Sequence, residues 1–165
     1  GALTSIGGSA YFEGSQVTVL GKTLPHTSID GISMVNLTWG RVGRYKVATA
    51  QYLRGDLTNM PSCYVAKVGK YYAHGETAEQ AIEDAIFKRL NVQDKREIAM
   101  KISKAKSVTL NEWRVLSSAC RAGTAAHLGV TVSELPQSMP LDEALKKSAG
   151  THYGAAFARL INETA

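Results

Sequence analysis

Several features that usually signal a particular function are missing from this sequence. It holds only two cysteines, Cys63 and Cys120, which are too few for a disulfide framework and too far apart in the chain for a zinc-type ligand set. Free thiols in a reducing, cytoplasmic compartment are therefore the simplest prediction. A single unstrained disulfide between the two cysteines is the alternative.

Long hydrophobic runs are missing as well. Uncharged stretches such as residues 14–21 and 31–40 contain polar side chains and are far shorter than the roughly 20 apolar residues that span a bilayer. No basic segment followed by an apolar one opens the chain, so we predict a soluble protein with no secretory signal and no membrane association. Because the chain begins at Gly1 rather than Met, we also predict that it is part of a longer protein.

The sequence shows no motif for catalysis or for a cofactor. A phosphate-binding P-loop, a GxGxxG segment after a strand and a GxSxG elbow are all absent. The four histidines show no metal-ligand spacing; they are His26, His74, His127 and His152. We therefore predict no cofactor and no metal. The segment 40–44 (GRVGR) fits a turn and could contact phosphate only as a loop.

The composition is that of an ordinary folded protein. Hydrophobic residues make up 44% and charged residues 20%, which excludes disorder. A chain of 165 residues can bury a sizeable core in one domain, with or without a small appendage.

The first half of the chain has the pattern of short strands. The predicted strands are 9–13, 16–20, 31–39, 44–53, 62–68 and 70–73. The last two form a hairpin that turns at Gly69 and Lys70. Within the third, apolar residues alternate at Ile32 and Met34, and the alternation is then lost.

The second half has the pattern of helices, whose starts are marked by capping residues. These are Thr77 with Gln80, Asp94, and Thr109 with Glu112. The first helix is predicted from about 77 to 90, the helix after Thr109 is predicted to end or bend at Gly123, and a last helix is predicted at about 152–162. The fold class is therefore α+β, with N-terminal antiparallel strands covered by a helix and a C-terminal cluster of short helices.

The opening residues carry an apolar spacing that is typical of a repeat. The pattern is Leu3-x-x-Ile6-x-x-x-Ala10-x-Phe12-x-x-Ser15-x-Val17-x-x-Leu20. It resembles the last, atypical turn of a leucine-rich-repeat protein. The resemblance implies that residues 1–24 are a partial repeat, followed by a β-meander plus helix (25–92) and a helical subdomain (93–165) that close a longer array of phage or bacterial type. A plain β-hairpin with glycine-rich turns is the alternative.

Basic residues are concentrated between 88 and 121, where nine bases accompany three acids. Such a field can attract nucleic acid or an acidic protein, although helices also carry bases late because of their dipole. Trp113, the only aromatic residue in this range, is better explained as core than as a stacking platform. The candidate nucleic-acid-binding residues are Lys88, Arg89, Lys95, Arg96, Lys101, Lys104 and Lys106.

A thiol enzyme would need a base beside a cysteine, and His74 and Cys120 are the candidate catalytic pair. Arg121 would favour the thiolate. The alternative is that Cys120 is buried between Ala119 and Ala122 in a tight packing site.

Three functions remain open from the sequence. The leading hypothesis is a non-enzymatic protein-interaction or capping module at the C-terminal end of a repeat protein, with a protein as its partner. The alternatives are a basic module that associates with nucleic acid through region 88–121, and a Cys–His thiol-dependent enzyme.

Overall fold

A computed structural model describes residues 15–19, 21–53 and 60–164 of this chain. The chain divides into two compact units between Ile86 and Phe87, within a helix and before the predicted boundary between 92 and 93. The first unit is built on an antiparallel sheet and the second on helices, so the predicted α+β class is confirmed.

The described residues of the first unit form a six-stranded meander followed by one helix. The strands are β1 (Ser15–Val19), β2 (Lys22–Ile29), β3 (Ile32–Val42), β4 (Tyr45–Tyr52), β5 (Ser62–Val68) and β6 (Tyr71–Gly75). They lie in chain order, and each neighbouring pair is antiparallel. The helix α1 (Ala78–Leu90) begins where predicted, since the Thr77 hydroxyl accepts a hydrogen bond from the N–H of Gln80.

Two-residue turns set the register of the hairpins. Asp30 and Gly31, between β2 and β3, both have positive φ (57° and 78°), as a type I′ turn requires. Gly69 has a φ of 62° in the predicted turn between β5 and β6. No strand was predicted at β2, a segment that contains Pro25, and proline is disfavoured inside a sheet. The pairing of β2 with β3 begins at His26, so Pro25 takes no part in that ladder.

A bulge interrupts β3 at the point where its sequence loses the apolar alternation. The register with β4 shifts by one residue there, and Asn36 has a φ of 57°. The extra residue allows Leu37 and Trp39 to pack on the same core as Met34. Strict alternation would have placed both side chains on the opposite face.

The two faces of this sheet are covered differently. The outer face packs Val47, Ala66 and Ala73 against Ala81 and Ala85 of α1. On the other side, the inner face, the sheet curls until β2 contacts β6, so that its side chains bury one another. The inner core consists of Ile29, Met34, Ala48, Ala50, Tyr52, Cys63 and Val65.

The described residues of the second unit form five α-helices, a short 3-10 helix (Val132–Glu134) and a small sheet. The helices are α2 (Lys95–Ala105), α3 (Leu110–Ser117), α4 (Arg121–Leu128), α5 (Leu141–Ser148) and α6 (His152–Asn162), and the strands β7 (Ser107–Thr109) and β8 (Ser138–Pro140) pair antiparallel. The caps at Asp94 and at Thr109 with Glu112 are confirmed, as is the last helix. The predicted helix end at Gly123 is wrong: α3 ends at Ser117, before the left-handed Ser118, and Gly123 lies inside α4.

Most residues that resemble a leucine-rich repeat, Leu3 to Phe12, lie outside the described part of the chain. The partial repeat at 1–24 therefore stays a prediction. Its last residues belong to β1 and β2, which pair with each other antiparallel, and the predicted boundary after residue 24 falls inside β2. None of the described helices combines the length and apolar character needed to cross a membrane.

Candidate nucleic-acid interface

Three cationic side chains lie side by side across the sheet. Arg41 of β3 pairs with Lys46 of β4, Lys46 pairs with Lys67 of β5, and Lys67 pairs with Tyr72 of β6. Directly paired residues point to the same face, and Tyr72 packs against the inner core. The row therefore lies on the inner face, at the end of the sheet that carries the β3–β4 and β5–β6 turns.

This row carries an electrostatic cost within the sheet. Like charges directly opposite each other on neighbouring strands are destabilising. Residues 31–53 and 60–75, which include strands β3 to β6, contain five bases and no acid. These bases are Arg41, Arg44, Lys46, Lys67 and Lys70. Arrangements that disfavour folding are found mainly at functional sites. A row of neighbouring cations would be stabilised there by an anionic ligand.

Two aromatic rings lie beneath the lysines of the row. Lys46 Nζ is 4.7 Å from the centroid of the Trp39 ring, and Lys67 Nζ is 5.0 Å from that of Tyr72. Both distances fall within the range of cation–π attraction. Trp39, Arg41, Lys46, Lys67 and Tyr72 together are called the cation–aromatic cluster below.

The curl of the sheet brings the two rings together. Trp39 and Tyr72 belong to strands separated by two others, which in a flat sheet would place them roughly 14 Å apart. Their centroids are instead 6.3 Å apart, with the ring planes at 69°. Both residues are half-buried, so each ring packs partly on the inner core and is partly accessible to solvent.

The adjacent turns hold two further cations, which contact rings on the other face of the sheet, since Tyr45 packs on the outer core and Tyr71 alternates with Tyr72. Arg44 lies in the β3–β4 turn, where its Nη2 donates a hydrogen bond of 2.9 Å to Tyr45 Oη and its guanidinium lies 5.1 Å from that ring. Lys70 Nζ, in the β5–β6 turn, is 5.5 Å from the ring of Tyr71. The segment 40–44 is thus the end of β3 and a tight turn, and both of its arginines are exposed.

The basic residues that the sequence nominated for nucleic acid lie on helices. Lys88 and Arg89 are in the last turn of α1, and the other five are on α2 or, for Lys106, at its C-cap. Within the second unit, Lys101 forms a 2.9 Å ion pair with Glu112, and Lys95 donates a 3.0 Å hydrogen bond to Ser118.

The solvent face of α2 is mixed in character. At 3.6 residues per turn, Glu97 projects between Lys101 and Lys104, so an acid interrupts the bases. Met100, which is 57% exposed, lies on the same side. Binding of nucleic acid by this region stays a prediction. Its positive charge is less concentrated than that of the row on the sheet.

The two members of the predicted catalytic pair lie in different units, and each has its own neighbours there. Nδ1 of His74 lies 3.0 Å from Tyr52 Oη, within the first unit. Cys120 is the exposed N-cap of α4, and its Sγ accepts a hydrogen bond from the N–H of Gly123 at 3.2 Å. The expectation that Cys120 is buried is therefore wrong. Both cysteines are free thiols, and Cys63 is buried.

In the second unit, Trp113 occupies the core, as predicted. Its Nε1–H donates a 3.0 Å hydrogen bond to Ser148, and its ring stacks on His127 at 5.5 Å. An apolar depression beside it is lined in part by Leu110 and Met139 and has room for little more than a water molecule. Among the described residues, no group of three His, Cys, Asp or Glu side chains is placed to hold a metal ion.

No protein-family model matches the chain, and no curated protein and no solved structure matches it either.

The sequence contains a local excess of bases around the cluster, but the net charge of the first unit does not show it. Residues 1–86 hold seven bases and seven acids, because the acids of α1 balance the bases of the strands. The excess of bases over acids is visible only in the segment between Asp30 and Glu76, which is also rich in aromatic residues. Strand register, which places three of these bases in one row, could not be read from the sequence.

Proposed function

We propose that this protein binds nucleic acid through the cation–aromatic cluster and the two turns beside it. The observation that carries the proposal is the row Arg41, Lys46 and Lys67, three adjacent cations on strands that supply no acid. A phosphate backbone supplies regularly spaced negative charges, and lysine and arginine that neutralise them release counterions. A polyanion therefore offsets the repulsion between these neighbouring cations.

The aromatic residues favour nucleic acid over other polyanions. An acidic protein segment would meet the same positive charge, but it would gain little from Trp39 and Tyr72. Nucleic-acid bases stack on such rings, and surfaces that combine a basic groove with aromatic side chains bind single strands without sequence preference. The protein-interaction or capping role stays a prediction, because most of the residues behind it lie outside the described part of the chain.

The test is salt-dependent binding of labelled oligonucleotides, measured by fluorescence anisotropy. For three to five phosphate contacts we expect the logarithm of the association constant to fall with the logarithm of salt concentration with a slope of roughly −2 to −4. The double variant Arg41→Glu, Lys46→Glu should bind at least about tenfold more weakly and show a shallower slope, since it loses two contacts.

A matched control comes from α2. Arg96→Glu with Lys104→Glu changes the same residue types on an exposed surface and should leave affinity within about twofold, apart from the loss of general attraction at low salt. If the control variant loses binding and the sheet variant keeps it, the helical region is the interface. Binding of poly-glutamate but not of oligonucleotides would point to an acidic protein partner and overturn the proposal.

A further inference from the structure

We infer that the cation–aromatic cluster selects single-stranded nucleic acid, whose bases stack on Trp39 and Tyr72. This inference rests on the proposed function and adds the form of the ligand. The bases of a duplex are stacked on one another and cannot lie against a protein ring, whereas a single strand can splay its bases onto aromatic side chains. Phosphate contacts alone would need no aromatic residues between the cations.

The relative orientation of the rings fits two successive bases. Trp39 and Tyr72 meet edge to face at 69°, so a single base cannot lie flat against both. Each ring therefore offers its own face to a separate base. The contact between the rings, at 6.3 Å, holds both in place before a ligand arrives, which reduces the entropy lost on binding.

The lysines above the rings are compatible with this role. Lys46 and Lys67 occupy positions over the ring faces that a base would take. A lysine has a long flexible stem, so its ammonium can move from the ring to a neighbouring phosphate. Base stacking is the stronger of the two interactions at an exposed ring, so the exchange favours the bound state.

The strands and the inner core around Trp39 and Tyr72 also hold the two rings in position. Trp39 reaches the inner face because of the bulge at Asn36, and Tyr72 lies on β6 directly opposite Lys67. Both rings pack on the inner core, whose residues are almost fully buried. Two rings and a row of three cations make a small site, and we expect it to cover roughly four nucleotides, the lower end of the range for single-strand binders built on a sheet.

The experiment compares a 12-nucleotide oligothymidine with a 12-base-pair duplex on the full chain. We expect at least tenfold tighter binding of the single strand, with quenching of tryptophan fluorescence. The quench should persist in Trp113→Phe, which retains Trp39, and disappear in Trp39→Leu. Leucine keeps an apolar side chain on the inner core, and circular dichroism verifies the fold of each variant.

The salt slope separates stacking from charge. Trp39→Leu and Tyr72→Leu should each weaken binding about tenfold with an unchanged slope, because they remove stacking and leave every cation in place. Equal affinity for duplex and single strand, or full affinity in both leucine variants, would overturn the inference and leave the proposed function standing. Absence of binding to either nucleic acid would overturn both. The comparison of single strand with duplex on the unmodified protein decides between these outcomes even if a substitution disturbs folding.

Discussion

At the scale of single residues, the buried carboxylate of Glu112 in the second unit is stabilised by hydrogen bonds from neighbouring residues. Glu112 is only 6% exposed, and its carboxylate accepts hydrogen bonds from the backbone and hydroxyl of Thr109 and from Lys101. Burial raises the pKa of Glu112, but these hydrogen bonds outweigh it, so the pKa lies below its ordinary value. The cations of the sheet have no comparable carboxylates on their own strands.

This balance predicts a pH dependence of stability. Because the pKa of Glu112 is lower in the folded protein than in the unfolded chain, where it is about 4.3, the unfolded form binds more protons between the two values. The stabilisation is complete above the unfolded pKa and is lost as the pH falls through the folded one. Glu112→Gln should therefore destabilise the protein by about 1 kcal/mol at pH 7 and by clearly less near pH 3.

Urea denaturation of both proteins at the two pH values measures this difference. A destabilisation of the same size at pH 7 and at pH 3 would contradict the role given to the charge of Glu112.

At the scale of secondary-structure elements, the bulge in β3 determines which side chains reach the candidate site. Asn36 takes a left-handed conformation, which asparagine adopts more readily than other non-glycine residues, and its amide donates a 2.6 Å hydrogen bond to Gln51. The bulge moves Trp39 to the inner face. A change at an exposed position can thus affect the geometry of the cluster.

Two substitutions at Asn36 separate backbone conformation from side-chain contact. Asn36→Gly keeps the left-handed conformation and should change the free energy of unfolding by no more than about 0.5 kcal/mol. Asn36→Val forces a β-branched residue to a φ of 57° and should cost about 1–2 kcal/mol or shift the register. Urea unfolding followed by tryptophan fluorescence measures both, and equal stability of the glycine and valine variants would show that the bulge is not under backbone constraint.

Local patterns explain which elements could be predicted from the sequence. The capping residues Asp94 and Thr109 act within a few residues of themselves, and so do the glycine turns, which is why helix starts and the last hairpin were found. The helix end after Thr109 was missed because Ser118, rather than a glycine, supplies the left-handed cap. Strand β2 was missed because it contains Pro25, and the placement of Trp39 on the inner face was missed because the bulge in β3 breaks the apolar alternation.

At the scale of the whole molecule, the net positive charge belongs to one unit, whereas the row of adjacent cations Arg41, Lys46 and Lys67 lies in the other. Residues 87–165 carry twelve bases and seven acids, so the net charge of +5 belongs entirely to the second unit. For this reason the sequence predicted a nucleic-acid interface in region 88–121. At physiological ionic strength exposed charges act over about 8 Å, so a close row of cations contributes more to a contact than a larger number spread over a helix surface.

The measurement that tests this account most directly is an NMR titration of the full chain, labelled with ¹⁵N, with the 12-nucleotide oligothymidine. We predict shifts of the backbone amides in residues 39–47 and 65–73 and of the indole N–H of Trp39, while the amides of α2 and the indole of Trp113 stay in place. Shifts confined to residues 88–106, with β3–β6 unaffected, would contradict the assignment of the interface to the sheet.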